Sequence, residues 1–484
     1  MSWVGSNGRM PSFFWYDLET SGTRPKWDRI EQFAAMRTDS DLQEVGETTC
    51  FYVKLPMDVL PDPEACLITG LVPNDINQQG LEEISALDEI NRQFSTPQTC
   101  VAGYNSLRFD DEFIRYAFYR NFLDPYAREW QNRNSRWDLI DLVRATAALR
   151  PEGIDWPIED GGASFRLEKL AVANNLEHSH AHDALSDVRA TIQLARLVKQ
   201  KQPRLFDYYL SLRNKRTVLD LLQPLGEQIF VHVSGMYPRG RSAMAPVMSI
   251  CAHPKDSNSI IVLDLQSRIE LLATCSVERI RELLFTHHDE DRPGLKELRI
   301  NRCPFVAPLS VLRAEDQNRL GIDIGLMEEM RRTVQKIPGL SEKIQRVYQQ
   351  REFASETDVE TQLYEGGFLN SPDKVACAEV WRRVRQNLDP SHIYFDDPRM
   401  SRLLLHLRAR RDYASLNSEE KNVWHNYVRD KLEQIGGALS LADFEDRVRQ
   451  ISAQVRSKNE RLLVEKLIKH GTQVRHWLAA LPDS

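Results

Sequence analysis

Hydrophobic and polar positions change their period three times along this chain. FFWYDLE, IEQFAAMRT and TTCFYVKL are aromatic or β-branched runs bounded by turn residues, and they predict strands. LEEISALDEINRQF places apolar residues at helical spacing and is followed by a short buried strand, CVAGY. RFDDEFIRYAFYRNFL, WDLIDLVRATAAL, FRLEKLAVANN and HDALSDVRATIQLARLVKQ predict further helices. Strands first and interleaved helices after predict a mixed α/β sheet over residues 1–200.

A charged, Pro-containing stretch, KQKQPRLFDYY (199–209), ends a long helix and marks a boundary. From about 225 to 310 the pattern turns to strands in QIFVHVSG, APVMSICAHP, SIIVLDLQ, IELLAT and ELRINRCPFVAPL. This predicts a β-rich barrel with a helix or two within residues 201–350. Residues 351–484 read as helical, in LLLHLRARRDY, EEKNVWHNYVRDKLEQIGG, LADFEDRVRQISAQ and RLLVEKLIKHGTQVRHWLAAL, with Gly436 and Gly437 as a helix stop. Three domains suit 484 residues, which exceed what one ordinary core holds.

Composition narrows the class. Without a run of about 18 apolar residues, no membrane span is expected, and MSWVGSNGRMPS lacks the order of a signal peptide. Cys50, Cys66, Cys100, Cys251, Cys275, Cys303 and Cys377 are scattered without a CxxC pair, and they read as buried thiols of a cytoplasmic protein. The net charge of −7 does not advertise a nucleic-acid binder, yet residues 401–484 hold 15 Lys+Arg against 11 Asp+Glu. That end is +4 and the first 400 residues are −11, so the average hides local basic and acidic regions.

Candidate chemistry concentrates in three segments. Asp17 and Glu19 stand two apart at the end of a predicted strand, so both side chains leave one face where open α/β sheets place active sites. Asp110 opens a helix in FDDEF, although Asp111 and Glu112 compete with it and first-turn acids are often dipole partners. Asn105 in GYN is a turn residue or a substrate contact. In HDALSD, a helix starting near Asp183 lets Asp187 face the sheet while His182 stays on the preceding loop. His178 and His180 precede it with alternate spacing, so a zinc strand is the competing reading. Four carboxylates suit two hard cations, for which Mg²⁺ fits all-oxygen ligation, and an imidazole near neutral pKa can take the proton of an attacking water.

Together the segments resemble the DEDDh branch of the DnaQ-like 3′→5′ exonucleases, with DLET, YNxxxFDxxF and HxAxxD as the three motifs. The resemblance implies an RNase H-like exonuclease fold, Asp17, Glu19, Asp110 and Asp187 as ligands of two Mg²⁺ ions (Mn²⁺ a substitute), and His182 as general base. Within that superfamily the chain is similar over its whole length to the bacterial exonuclease I family, through WDLIDLVRATAALRPEGIDWP, HAHDALSDVRATI, KQPRLFDYY, VHVSGM, INRCPFVAP and LRAEDQNRLGI. That family implies an SH3-like second domain, a helical third domain and a C-shaped channel for processive 3′→5′ digestion of single-stranded DNA to 5′-mononucleotides, in repair and recombination. Candidate substrate contacts are Glu19, Asn105 and Arg166. Candidates for a wider track are Arg144, Arg213, Lys215, Arg216, Phe13, Trp15, Tyr208 and Tyr209, with base stacking at about 1–3 kcal/mol per base.

The resemblance also implies recruitment by the acidic, Phe-ended tail of single-stranded-DNA-binding protein, with Arg150 and Arg313 as candidate contacts. A monomer is the expectation. Two rival readings are a DEDDh exoribonuclease or proofreader, and a nuclease-fold module that recruits the binding protein without catalysis. Some 280 residues beyond the nuclease segment argue against the first, and an intact carboxylate set argues against the second.

Overall fold

Strand β1 (Ser12–Thr20) runs through the middle of a five-stranded sheet because Phe13, Phe14, Trp15, Tyr16 and Leu18 are apolar and both its faces are covered. A computed structural model describes residues 11–177, 183–286, 292–349, 356–433 and 437–482. The sheet adds β2 (Ile30–Thr38), β3 (Thr49–Tyr52), β4 (Thr99–Gly103) and β5 (Ser135–Asp138), in the order β3-β2-β1-β4-β5. The first three strands pair antiparallel, whereas β4 and β5 continue parallel to β1. Phe13 and Trp15 face the helix Ala184–Lys201, and Phe14, Tyr16 and Leu18 face the helices Glu83–Phe94 and Asp110–Arg120. This is the mixed α/β sheet that the pattern predicts.

A second five-stranded sheet is antiparallel throughout, in the order Leu295–Arg299, Ser259–Asp264, Met244–Ala252, Ile229–Val233, Phe305–Pro308. Two strand expectations are corrected here. IELLAT forms the short helix Glu270–Thr274, with Leu272 alone fully buried, because six apolar-rich residues are too few to separate the two periods. ELRINRCPFVAPL is two strands, which lie at opposite edges of the sheet. The C-terminal part is helical as expected, in Ser371–Arg385, Pro398–Arg411, Ser418–Glu433, Leu441–Gln454 and Lys458–Ala479. No described helix is long and apolar enough to cross a membrane.

Texture changes in the sequence are not gaps in packing. One apolar cluster joins the β1–Trp137 face of the first sheet to the second sheet, and another joins the opposite face to the C-terminal helices. The helix Pro203–Ser211, inside the charged stretch, packs Phe206 and Tyr209 on Trp137. Charge also crosses the seam. Glu360, 2% exposed, accepts from Arg29 at 2.5 Å, lies 2.6 Å from Arg410 and contacts His406 at 2.9 Å, while Asp58 is held by Arg410 and Lys431. Burial alone would raise both carboxyls, but the surrounding cations win and hold them well below the usual range.

Glu31 of β2 is the counter-example. It is fully buried, both its oxygens lack a hydrogen-bond partner among the described residues, and burial together with the charges of Glu19 and Asp28 pushes it up to about 8. A raised carboxyl contributes fully below its unfolded pKa of about 4.3 and loses that contribution as pH rises toward 8. Glu31→Gln should therefore stabilise the protein by roughly 2–3 kcal/mol at pH 7 and by little at pH 4.5. Urea unfolding at the two pH values checks this; an equal gain at both would contradict a neutral buried carboxyl.

Candidate active site

Residue alternation along β1 sets two acids on the face covered by the helix Ala184–Lys201. Asp17 pairs in register with Ala34 and Glu19 with Gln32, and a bulge follows Glu19 where the strand leaves the sheet. The covering helix starts after Asp183, whose carboxylate accepts from the Ser186 N–H, and this places Asp187 in its first turn. Gln32 locks the junction by donating to Asp183 at 3.1 Å and accepting from the Ala184 N–H. Ligand oxygens of Asp17, Glu19 and Asp187 lie within 4.8 Å of one another.

The third segment arrives through a tight turn. Gly103 ends β4 against β1, where a Cβ would lie 2.7 Å from that of Ser106 and 2.9 Å from the Tyr16 carbonyl oxygen. Asn105 takes a left-handed φ of 63°, and Asp138 accepts the N–H groups of Asn105, Leu107 and Ile140. The turn role of Asn105 is thus realised, and the helix Asp110–Arg120 begins beside β1.

Three adjacent acids separate here by their partners. Asp111 is bound by Arg128 and Arg136, each at 2.6 Å, and by the Tyr16 hydroxyl at 2.7 Å. Burial works against its charge, yet the guanidinium groups of Arg128, Arg136 and Arg115 hold it far below the usual range. Glu112 is taken by Arg115, Arg302 and Tyr364. Asp110, 4% exposed, pairs with no cation among the described residues; burial and then the Asp111, Asp138 and Glu19 carboxylates raise it well above the usual range.

Asp17 is raised in the same way, by burial first and then by Asp110, Asp187 and Glu19. Burial, followed by Asp187 and Asp183, pushes Glu19 up to about 8. Clustered carboxyls that raise one another and offer only hard oxygen donors fit one or more divalent metal ions. His182, with His178 and His180 of the alternative zinc reading, lies outside the described residues.

Other candidates scatter. Arg166 is exposed and caps the helix Leu167–Ala173, next to the Phe165 carbonyl that accepts from Tyr104. Arg144 pairs with Asp141 at 2.8 Å, and the ammonium of Lys215 donates to Asn258. Arg213 donates back to the Leu210 carbonyl of the preceding helix, and Arg216 stays exposed beside Asp220. Phe13, Trp15 and Tyr209 are corrected to core residues, since each is at most 2% exposed and they pack around Trp137. Tyr208 is half-buried and donates to the Val306 carbonyl. A run of aromatics on a central strand looks like a stacking platform only until the sheet is covered on both faces.

One grouping went unread in the sequence, and a second was read only in part, through Arg150 and Arg313 but not Asp316 and Arg319. A cavity of about 780 Å³ between the two sheets is lined by Arg108, Arg241, Lys296, Arg299 and Arg302, with Arg108 two residues before Asp110. Its basic residues come from segments about 190 residues apart and carry no common motif. Separately, Arg150 and Arg313 meet on the Asp316 carboxylate, and Arg319 joins them at 3.2 Å. The i, i+3 spacing of Asp316 and Arg319 was the available signal.

Family models match nearly the entire chain: an exonuclease model at residues 14–195, an exonuclease I SH3-like domain at 213–350 and an exonuclease I C-terminal domain at 357–474. Exodeoxyribonuclease I of Haemophilus influenzae is 41% identical over 472 residues, covering 96% of this chain and 98% of its own. The Escherichia coli enzyme of the same name is 40% identical over 470 residues, with 96% and 98% covered. Solved structures agree. E. coli exonuclease I with a dA16 oligonucleotide superposes with a TM-score of 0.90 at 39% identity, covering 96% of this chain and all of that one. The zinc-bound form of its single-stranded-DNA complex gives 0.90 at 38% identity, with 97% and 100% covered. A structure of SSB/exonuclease I with an inhibitor gives 0.87 at 38% identity, with 96% and 100% covered.

Proposed function

The chain belongs to the exonuclease I family and is a DNA exonuclease, and from that premise we propose that it digests single-stranded DNA processively from the 3′ end and releases 5′-mononucleotides. The observation that carries the reading is the Asp17–Glu19–Asp187 cluster, with ligand oxygens within 4.8 Å of one another and Asp110 beside it. Those four acids would hold two divalent ions, Mg²⁺ with Mn²⁺ as a substitute, which supply Lewis-acid stabilisation of the attacking and leaving oxygens. Gln32 and Asp183 position the helix that carries Asp187. His182, one residue before Asp183 in the sequence, takes the proton of the attacking water. Glu19, Asn105 and Arg166 contact the terminal nucleotide.

The basic cavity between the sheets is the path of the strand, because Arg108 leads from it toward Asp110. The solved relatives that hold single-stranded oligonucleotides support this substrate. Arg150 and Arg313 gather with Arg319 on Asp316, with Glu152 a second partner of Arg313, and guanidinium groups of this kind hold a C-terminal peptide carboxylate, so we assign Arg150 and Arg313 to the tail of single-stranded-DNA-binding protein. We divide the chain at 1–200, 201–350 and 351–484, and place it as a monomer in the cytoplasm, acting in repair and recombination.

Glu19 must lose its proton to bind metal. With its carboxyl at about 8 in the metal-free protein, and Asp17 and Asp110 raised as well, metal affinity should rise at least about tenfold per pH unit from 6 to 8. Calorimetry in two buffers of different ionisation enthalpy should record about one proton or more released per site at pH 7. No proton release would contradict the raised carboxyl.

The deciding experiment is a time course on 5′-labelled single-stranded DNA with Mg²⁺, beside duplex DNA, RNA and an EDTA control. Stepwise 3′ shortening of the single strand, lost in EDTA, is the expected result. Faster loss of RNA would make the chain an exoribonuclease. Binding without nucleotide release would leave a recruitment module.

A further inference from the structure

Glu112, two residues after Asp110, collects donors from all three parts of the chain. Its Oε1 accepts from Arg302 at 2.6 Å and from Arg115 of its own helix at 2.9 Å. Its Oε2 accepts from the hydroxyl of Tyr364, which lies ahead of the C-terminal helices. Arg302 lines the basic cavity between the two sheets. One carboxylate therefore fixes the Tyr364 hydroxyl next to the wall of that cavity.

Tyr364 is held at its polar end and open along its ring. The hydroxyl also accepts from Arg115 at 3.2 Å, and the ring meets Tyr116 in a T-shaped contact with centroids 5.9 Å apart. The residue is nevertheless 53% exposed. A ring pinned in this way loses little further rotamer freedom when a flat group stacks on it. Phe368, four residues on, is still more exposed, at 85%, and touches Tyr126. Its charged surroundings differ. Phe368 borders Asp373, Asp396 and Asp397, of which Asp397 is paired with Arg399. On the Tyr364 side the acids Asp111, Glu112 and Glu129 are each paired with arginines, and Arg299 stands with Arg302 in the cavity wall. A polyanion following the cavity meets Tyr364, and the acids turn it away from Phe368.

We propose that Tyr364 is a stacking residue for the single strand, receiving a base on the 5′ side of the nucleotide held at the carboxylate cluster. The inference rests on the strand path proposed above and extends it to the C-terminal part of the chain. Phosphates in a basic groove beside an aromatic face for the bases give binding without sequence preference, because every base has a flat face. The shared Glu112 carboxylate keeps that face beside the guanidinium groups that follow the backbone.

The test measures equilibrium binding of 5′-labelled dT20, and of an abasic strand of equal length, to the full chain in EDTA. Tyr364→Leu should bind dT20 at least about fivefold more weakly, the low end of what one stacked base contributes, and the abasic strand within about twofold of the wild type. Tyr364→Phe keeps the ring and should stay within about twofold on both strands, as should Phe368→Ala. Equal dT20 binding by Tyr364→Leu, an equal loss on the abasic strand, or an equal loss in Phe368→Ala would overturn the assignment. Should Tyr364→Leu fail to fold, irradiation of the wild type with a 5-iodouracil-substituted strand decides. A crosslink at Tyr364 supports the site, and crosslinks confined to other residues refute it. Because EDTA removes cleavage from the readout, loss of the proposed reaction and loss of this stacking residue are told apart.

Discussion

Asp110→Asn should abolish metal-dependent nucleotide release and at the same time stabilise the metal-free protein. As one of the four acids of the proposed metal site, its loss should lower kcat on single-stranded DNA by about 10³-fold or more, equivalent to roughly 4 kcal/mol of transition-state stabilisation. The stability gain follows from its surroundings. Burial and the Asp111, Asp138 and Glu19 carboxylates raise Asp110 well above the usual range. Its folded pKa exceeds the unfolded value of about 3.9, so the charged form is unfavourable in EDTA at pH 7 to 8, and the gain should vanish near pH 4.

The adjacent residue should behave in the opposite sense. Asp111→Asn leaves Arg128 and Arg136 buried without their shared carboxylate, and Arg128 already has Nε and Nη1 unpartnered. Removing one member of such a network costs about 3–5 kcal/mol. Because Asp111 is depressed, its contribution is present above pH 4 and disappears as pH falls below that value. The folded fraction of Asp111→Asn should still cleave DNA. Rate assays paired with urea unfolding of the two variants check the contrast, and loss of stability in both would mean that Asp110 is a structural acid.

The second large effect lies at the seam between the nuclease and C-terminal parts. Glu360→Gln removes the carboxylate that Arg29, Arg410 and His406 share, while Asp58 retains Arg410 and Lys431. We expect a loss of about 3–5 kcal/mol, since the remaining cations stay desolvated. Limited proteolysis should then degrade the C-terminal helices at lower denaturant than in the wild type, because they dock through that carboxylate. An unchanged urea midpoint would show that the apolar cluster joining the two parts suffices on its own.

Much of the fold was legible because its signals are local. The covered strand β1, the amphipathic helices and the glycine-bounded turns each announce themselves within ten or so residues. The same holds for the spacing of Asp17 with Glu19 and the placement of Asp187 in a first helical turn. Local signals mislead where two outcomes share them. IELLAT is too short to separate strand from helix, and the aromatics Phe13 and Trp15 read equally as stacking surface or core until both faces of the sheet are seen to be filled.

What the sequence by itself determined was the set of chemical groups: clustered carboxylates at strand and helix ends, in an order whose chemistry is hydrolysis with metal. What only the tertiary structure decided was which groups are neutralised. Asp110 and Asp111 are neighbours of one residue type, yet the second meets two arginines brought from positions 128 and 136, and the first meets other acids. Charge in a protein interior is governed by distance and dielectric, which depend on contacts between segments remote in the chain, and no spacing along one segment encodes them.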